Sequence, residues 1–353
     1  MAPDAKRYLL YGSERYALPI LRPLQAAIRR AGGEAAWFFD GPGAEHLEPG
    51  EWRLDRVLCA RDWDPIAVFV AGNRVPDFIP GAKVQVFHGF SVGKRSDERG
   101  HFRIRGHFDL YCTQGSTTTP RFQALARRYG HFHVTETGWP KVDPLFGDDG
   151  GAALRWRQGW PADRPVVVYA STFTRSLSSA PAARDTIARL AATGRWGWIL
   201  TLHPKTPAEV VAGYRELAGP DVRFAEPEEV VPALRAADVM VSDTSSVVFE
   251  FLLQHKPAVT ICNTRPGPHL IDVRDASALP RAIETALDRR PDLMRAVARF
   301  AEEIHPYRDG ASSERVLRAT HEFLDRHRAG LKRRPWNFWR KLRVRRRLGY
   351  YRR

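Results

Sequence analysis

Four polar clusters in this chain come directly after apolar runs, and each could do chemistry. His88 follows "VQVF" and is trailed by Gly89 and then "SVGKR"; His203 follows "WGWILTL" and precedes Pro204-Lys205-Thr206. Ser171-Thr172 follows "VVVYA", and Asp243-Thr244-Ser245-Ser246 follows "DVMVS". Histidine is the side chain best suited to proton transfer near neutral pH. Two of them after apolar runs in different halves, each near a lysine, weigh against a purely structural role. In the 243–246 cluster a single residue would suffice as an N-cap. No Glu or Gln follows at capping-box spacing, where Val247, Val248 and Phe249 stand instead. A hydroxyl-rich turn from a strand into a helix N-terminus is also a seat for phosphate. On this segment alone, phosphate binding and plain capping stand level.

The usual nucleotide and metal signatures are missing. No G-x-G-x-x-G follows the first apolar run, and there is no G-x-x-x-x-G-K-[ST]. There is no H-E-x-x-H, cysteine pair or dense Asp cluster for a resident metal, and "DDGG" at 148–151 reads as a solvated loop. A bound phosphate would therefore rest on helix N-termini, hydroxyls, His and Lys.

These residues need elements to hold them, and the pattern supplies two series. In the first, 7–12, 34–39, 66–72, 83–89, 108–114 and 131–138 read as strands, with helices over 16–30 and 119–129. A Gly-, Asp- and Pro-rich break covers 147–164. The second series has strands at 165–172, 196–204, 221–226, 238–243 and 257–263. Its helices fall near 181–193, 207–217, 228–236, after Ser246, and at 278–288, 291–304 and 311–328. Strands alternating with helices predict parallel α/β sheets, with ligand at the strand carboxyl ends. The expected organisation is an N-terminal Rossmann-like domain over 1–150, a second over 160–328, and a tail over 331–353.

Composition narrows the class. The 353 residues are 43% hydrophobic, which suits globular domains. Cys59, Cys112 and Cys262 are isolated, as in a reducing compartment. No run approaches the roughly 18 apolar residues of a membrane span, and the charged N-terminus is unlike a signal peptide. A cytoplasmic protein is expected. The net charge of +15 is local: 331–353 holds two Lys, nine Arg and no acid, which leaves +4 for the other 330 residues.

The ordered series "FHG" (87–89), "GWPKVD" (138–143), "VVVYASTF" (166–173), "LHPKT" (202–206), "AADVMVSDTSSVVFEFLLQHKP" (236–257) and "DGASSERV" (309–316) resembles the CDP-glycerol glycerophosphotransferase family. These are the teichoic-acid primases and polymerases and related capsule polymerases. The resemblance spans roughly 87–316, and the first 80 residues match only in α/β pattern. It implies a GT-B-like fold, two Rossmann-like domains facing a cleft, with the nucleotide held mainly by the second. It implies attack of an acceptor hydroxyl on the β-phosphorus of CDP-glycerol, with CMP leaving. His88 would then be the catalytic base and His203 would stabilise charge on the leaving phosphate. Donor-binding residues would be Lys141, Asp143, Thr172, Lys205, Asp243, Thr244, Ser245, Ser246, Asp309, Ser313 and Arg315. Departures from the family pattern are Phe90-Ser91 after "FHG", Thr244 where Tyr is usual and Lys141 where Arg is usual.

The implied partners are a CDP-activated polyol as donor substrate and a lipid-linked or glycan acceptor. No permanently bound cofactor is expected, and Mg²⁺ dependence stays open. Rival readings are a GT-B glycosyltransferase using a UDP- or CMP-sugar, and an inactive membrane-peripheral scaffold. The tail mixes its cations with Trp336, Phe338, Trp339, Leu342, Tyr350 and Tyr351. As a helix it would bring Phe338, Trp339 and Leu342 within about 100° of one another. That composition suits an anionic membrane surface, at the inner face of the plasma membrane, better than nucleic acid.

Overall fold

The computed structural model describes residues 5–90, 100–148 and 150–350. The chain divides into two compact units, one running to Asp143 and resuming at Ile304, the other spanning Pro144–Glu303.

The first unit carries β1 (Arg7–Gly12), β2 (Glu34–Phe39), β3 (Ala67–Val70), β4 (Ala82–Gln85), β5 (Leu110–Thr113) and β6 (His133–Glu136). They pair in parallel in the order β2-β1-β3-β4-β5-β6. β1, β2 and β3 are almost continuously apolar, and all five of β1–β5 are largely buried even though β4 carries Lys83 and Gln85, as expected for a parallel sheet covered on both faces. Helices α1 (Ala17–Arg30), α2 (Val57–Asp62) and α3 (Thr119–Tyr129) belong to this unit. In α1, Ala17, Leu21, Leu24 and Ile28 recur at helical spacing and are buried. The order of the strands reverses between β1 and β3, so their carboxyl ends form the crevice where such sheets bind ligands.

The second unit carries β7 (Val166–Ser171), β8 (Gly197–Leu202), β9 (Val222–Phe224), β10 (Val239–Ser242), β11 (Ala258–Ile261) and β12 (Leu270–Val273), all parallel, in the order β12-β11-β10-β7-β8-β9. Its helices are α4 (Ala152–Arg157), α5 (Ala180–Ala191), α6 (Ala208–Arg215), α7 (Val230–Ala236), α8 (Val247–Leu252), α9 (Leu279–Leu287) and α10 (Pro291–Ile304). Here the order reverses between β7 and β10, at Ser171-Thr172 and Asp243. The sequence pattern missed β12, and it hid α4 inside the expected break.

The expected boundaries need correcting. Residues 304–328, read with the second domain, and the tail, read as separate, lie with the first unit. Helix α11 (Ser312–Glu322) packs on α1, and His321 Nε2 meets Tyr8 Oη at 2.7 Å. Helix α12 (Phe338–Arg347) also docks there: Asn337 donates to the Arg105 carbonyl, and Arg345 pairs with Asp77. An apolar stripe shows that a helix packs, but its spacing carries no information about which sheet it meets.

Candidate functional site

In the first unit, β4 ends at Gln85, four residues before the expected strand end at Gly89. Phe87 then takes a left-handed conformation, φ 63°, which costs a non-glycine residue about 1–3 kcal/mol. Its surroundings hold it there. The Phe87 ring packs against His101 and Phe122, and its carbonyl accepts from Trp139 Nε1 at 3.3 Å. Gln114 donates to the Gly89 carbonyl at 3.2 Å. Between these two clamped carbonyls, His88 is turned out to the surface.

The imidazole of His88 is oriented. Its Nδ1 lies 3.3 Å from the Ala71 carbonyl oxygen, and its ring lies 5.3 Å from that of Tyr16. A carbonyl only accepts, so Nδ1 carries the proton and the neutral ring has its lone pair on Nε2. Protein crowded about the ring lowers its pKa, Ala71 opposes that, and Arg105 adds to it. At neutral pH, His88 is thus poised as a base through Nε2. Lys94, the expected neighbouring cation, and Ser91 lie outside the described residues.

The other expected residues of this unit hold one another. Asp143 is buried and accepts from Ser312 N (2.8 Å), Ser313 N (2.8 Å) and Ser313 Oγ (2.6 Å), closing the first turn of α11. Arg315 makes a bidentate pair with Asp309, at 2.8 and 3.0 Å, and donates through Nε to the Thr137 carbonyl. That pair holds the Asp309 carboxyl down at about 2. Gly138 is required here: its φ is 81°, and a Cβ would stand 2.6 Å from Ser312 Oγ. Asp143 and Ser313, expected at the donor, therefore spend their polar atoms as a buried clasp. Lys141 sits 5.3 Å over the Trp139 ring.

In the second unit, Asp243 is fully buried at the end of β10. Its carboxylate accepts from Ser171 Oγ (2.5 Å), Thr172 N (2.9 Å), Ser179 N (2.9 Å) and Ser179 Oγ (3.1 Å). It thereby ties down both ends of the 172–178 loop. Thr244 Oγ1 accepts from Thr264 N at 3.1 Å. Ser245 is half-buried, Ser246 is exposed, and Ser246 makes no side-chain capping bond to α8. The cluster divides, with Asp243 buried and building the loop while Ser245 and Ser246 are partly or fully exposed.

His203 follows β8 and is exposed; its Nδ1 accepts the Lys205 N–H at 3.0 Å. A backbone N–H only donates, so the His203 proton is on Nε2. Phe173, from the loop that Asp243 holds, lies 4.3 Å from the His203 ring, with Lys205 Nζ 5.8 Å above it. Phe173, Ser179 and Tyr16 escaped the sequence reading. Phe173 ends the run "VVVYASTF", where an aromatic after a strand resembles core. Among the described residues, no group of three or more His, Cys, Asp or Glu is placed to hold a metal ion.

Residues 84–264 match the family described as CDP-glycerol:poly(glycerophosphate) glycerophosphotransferase. No curated protein matches the chain by sequence. Among solved structures, the wall teichoic acid polymerase TagF superposes with a TM-score of 0.63 at 15% identity, covering 91% of this chain and 90% of that one. The Staphylococcus aureus MnaA–UDP structure gives 0.61 at 14%, covering 94% and 99%. The UDP-GlcNAc 2-epimerase of Neisseria meningitidis, bound to UDP-GlcNAc, gives 0.58 at 13%, covering 90% and 99%. These likenesses show the fold, which is GT-B-like.

Proposed function

The chain belongs to the CDP-glycerol:poly(glycerophosphate) glycerophosphotransferase family, and from that premise we propose that it moves a polyol phosphate, with glycerol phosphate as the first choice, from a CDP-activated donor to an acceptor hydroxyl. The acceptor oxygen forms a bond to the β-phosphorus as the bond from that phosphorus to the bridging oxygen breaks, and CMP leaves. His88 Nε2 takes the acceptor's proton. His203 Nε2–H donates to the phosphate on which charge develops, with Lys205 beside it and the hydroxyls of Ser245 and Ser246, after β10 of the same unit, as further phosphate donors. Phosphoryl transfer depends mostly on positioning and charge stabilisation, which such groups supply.

The observation that carries this reading is the pair of opposite imidazole tautomers, one presenting a lone pair and the other an N–H. Asp143, Ser313 and Asp243 are assigned to positioning rather than to donor contact. The product would be a cell-surface polymer of the teichoic-acid or capsule kind. A lipid-linked acceptor would put the reaction at a cytoplasmic membrane face, and residues 331–353 are the part of this chain suited to that surface.

The test is a donor panel: CDP-glycerol, CDP-ribitol, CMP-sugars and UDP-sugars with a crude lipid acceptor, reading the nucleotide released. Acceptor-dependent CMP from a CDP-polyol is expected. Acceptor-dependent UDP from a UDP-sugar would overturn the chemistry in favour of glycosyl transfer.

A further inference from the structure

Helix α12 reverses the usual arrangement of a surface helix, whose apolar stripe faces the protein. Its docked side is mostly polar. Arg345 and Lys341 pair with Asp77 at 3.1 and 3.8 Å, and Arg347 pairs with Asp40. Val344 is buried, and just beyond the helix Tyr350 stacks on Phe78 at 3.8 Å. Upstream, Arg334 pairs with Asp109, and Lys332 N bonds to the Gly130 carbonyl. The large apolar groups of 336–342 point away from this side. Trp336 is 84% exposed, Trp339 77%, Phe338 54% and Leu342 43%.

At 100° per residue, Phe338, Leu342, Arg346, Trp339 and Arg343 fall in one arc of about 140°, opposite Val344 and Leu348. All five are exposed. Aromatic and aliphatic tips alternating with arginines, with no acid anywhere in 331–353, match a surface that is apolar below and anionic above. Arginine can lie along such a boundary with its stem in the apolar layer and its head at the phosphates. No described helix is long and apolar enough to cross a membrane.

We infer that α12 is a fixed membrane-binding face, held in place by the first unit, which engages anionic lipid as a docked surface rather than as a free basic arm. The inference rests on reading 331–353 as the membrane-facing segment. Its consequence is that acidic residues of the first unit promote binding to an anionic surface. Asp77 repels lipid phosphate, yet it holds the helix in the orientation that presents Trp336 and Trp339.

The test measures co-sedimentation of the full chain with phosphatidylcholine vesicles, with and without phosphatidylglycerol. The variants are Asp77→Asn combined with Tyr350→Ala, and Trp339→Ala, each checked for an unchanged fold by circular dichroism. Wild type binds only the anionic vesicles. Trp339→Ala weakens partition about tenfold. The double variant, although one charge more positive, also binds about tenfold more weakly. A free arm would gain up to about fivefold from that charge, so equal or tighter binding by the folded double variant overturns the docked face while leaving the segment membrane-binding. Failure of wild type to bind anionic vesicles, or binding to single-stranded nucleic acid instead, overturns the membrane reading itself.

Discussion

In the first unit His88 gives its Nδ1–H to the Ala71 carbonyl, whereas in the second His203 takes the Lys205 N–H at Nδ1. Both follow a parallel strand, and both turn a ring edge to the surface. One backbone contact, an acceptor in one case and a donor in the other, sets which ring nitrogen holds the proton. Two residues of the same type are thereby given opposite chemical senses. Their supports differ as well. His88 depends on a left-handed Phe87 clamped by Trp139, while His203 rests on Phe173, whose loop Asp243 holds. The tautomer of each histidine is therefore set outside the ring, by contacts that a substitution can keep or break.

The largest expected effect comes from His88→Ala, which should lower kcat for CMP release by about 100–10,000-fold, the usual worth of a general base. His88→Gln should be no better, because an amide nitrogen takes no proton. In wild type the acid limb of kcat/KM should fall below the ordinary histidine value, since the lowered pKa keeps His88 neutral to a lower pH. His203→Ala should cost about 100–1,000-fold, as removal of one aligned donor does. Here Gln should recover part of the loss, because an amide N–H can donate. Equal rescue at both positions would dissolve the contrast.

Asp243→Asn tests the loop support. Four donors converge on one buried carboxylate, and the amide would set an N–H against some of them, so unfolding by denaturant should show a loss of about 2–3 kcal/mol. The Phe173–His203 contact should loosen with it, raising KM as well as lowering kcat.

The units should also differ in acid. Burial pushes His101, His107 and His305 of the first unit down to about 4, and His269 of the second likewise. Each binds fewer protons folded than unfolded between pH 6.5 and about 4, so stability falls as pH falls through that window, by on the order of 1 kcal/mol per group per pH unit. The carboxyls of Asp40 and Asp143, raised by burial, act in the opposite sense at its acid end. Hydrogen exchange followed as pH is lowered should show the first unit, with three such histidines, opening before the second. The reverse order would break the comparison.

Much of the framework was legible because it is local. β1, β2 and α3 have the bounds their patterns predict, each an apolar run or stripe ended by polar residues or glycine. The sequence makes β4 look longer than it is because Val86 and Phe87 resemble strand, and only the left-handed turn at Phe87 shows otherwise. β12 is hard to see in the sequence because it is only four residues long and Asp272 interrupts its apolar Leu270, Ile271 and Val273. The least legible features join distant residues. Asp143 meets Ser313 across 170 positions, Asp243 meets Ser171 across 72, and α11 could have packed on either sheet. A motif string names such residues, but it does not separate those that face a ligand from those that hold the residues that do.

The most direct test of the opposite tautomers is nitrogen-15 NMR of the histidine side chains near neutral pH, with His88 and His203 assigned by single His→Gln variants. The account predicts the proton on Nδ1 of His88 and on Nε2 of His203. The same tautomer at both positions, or the reverse pair, would contradict it.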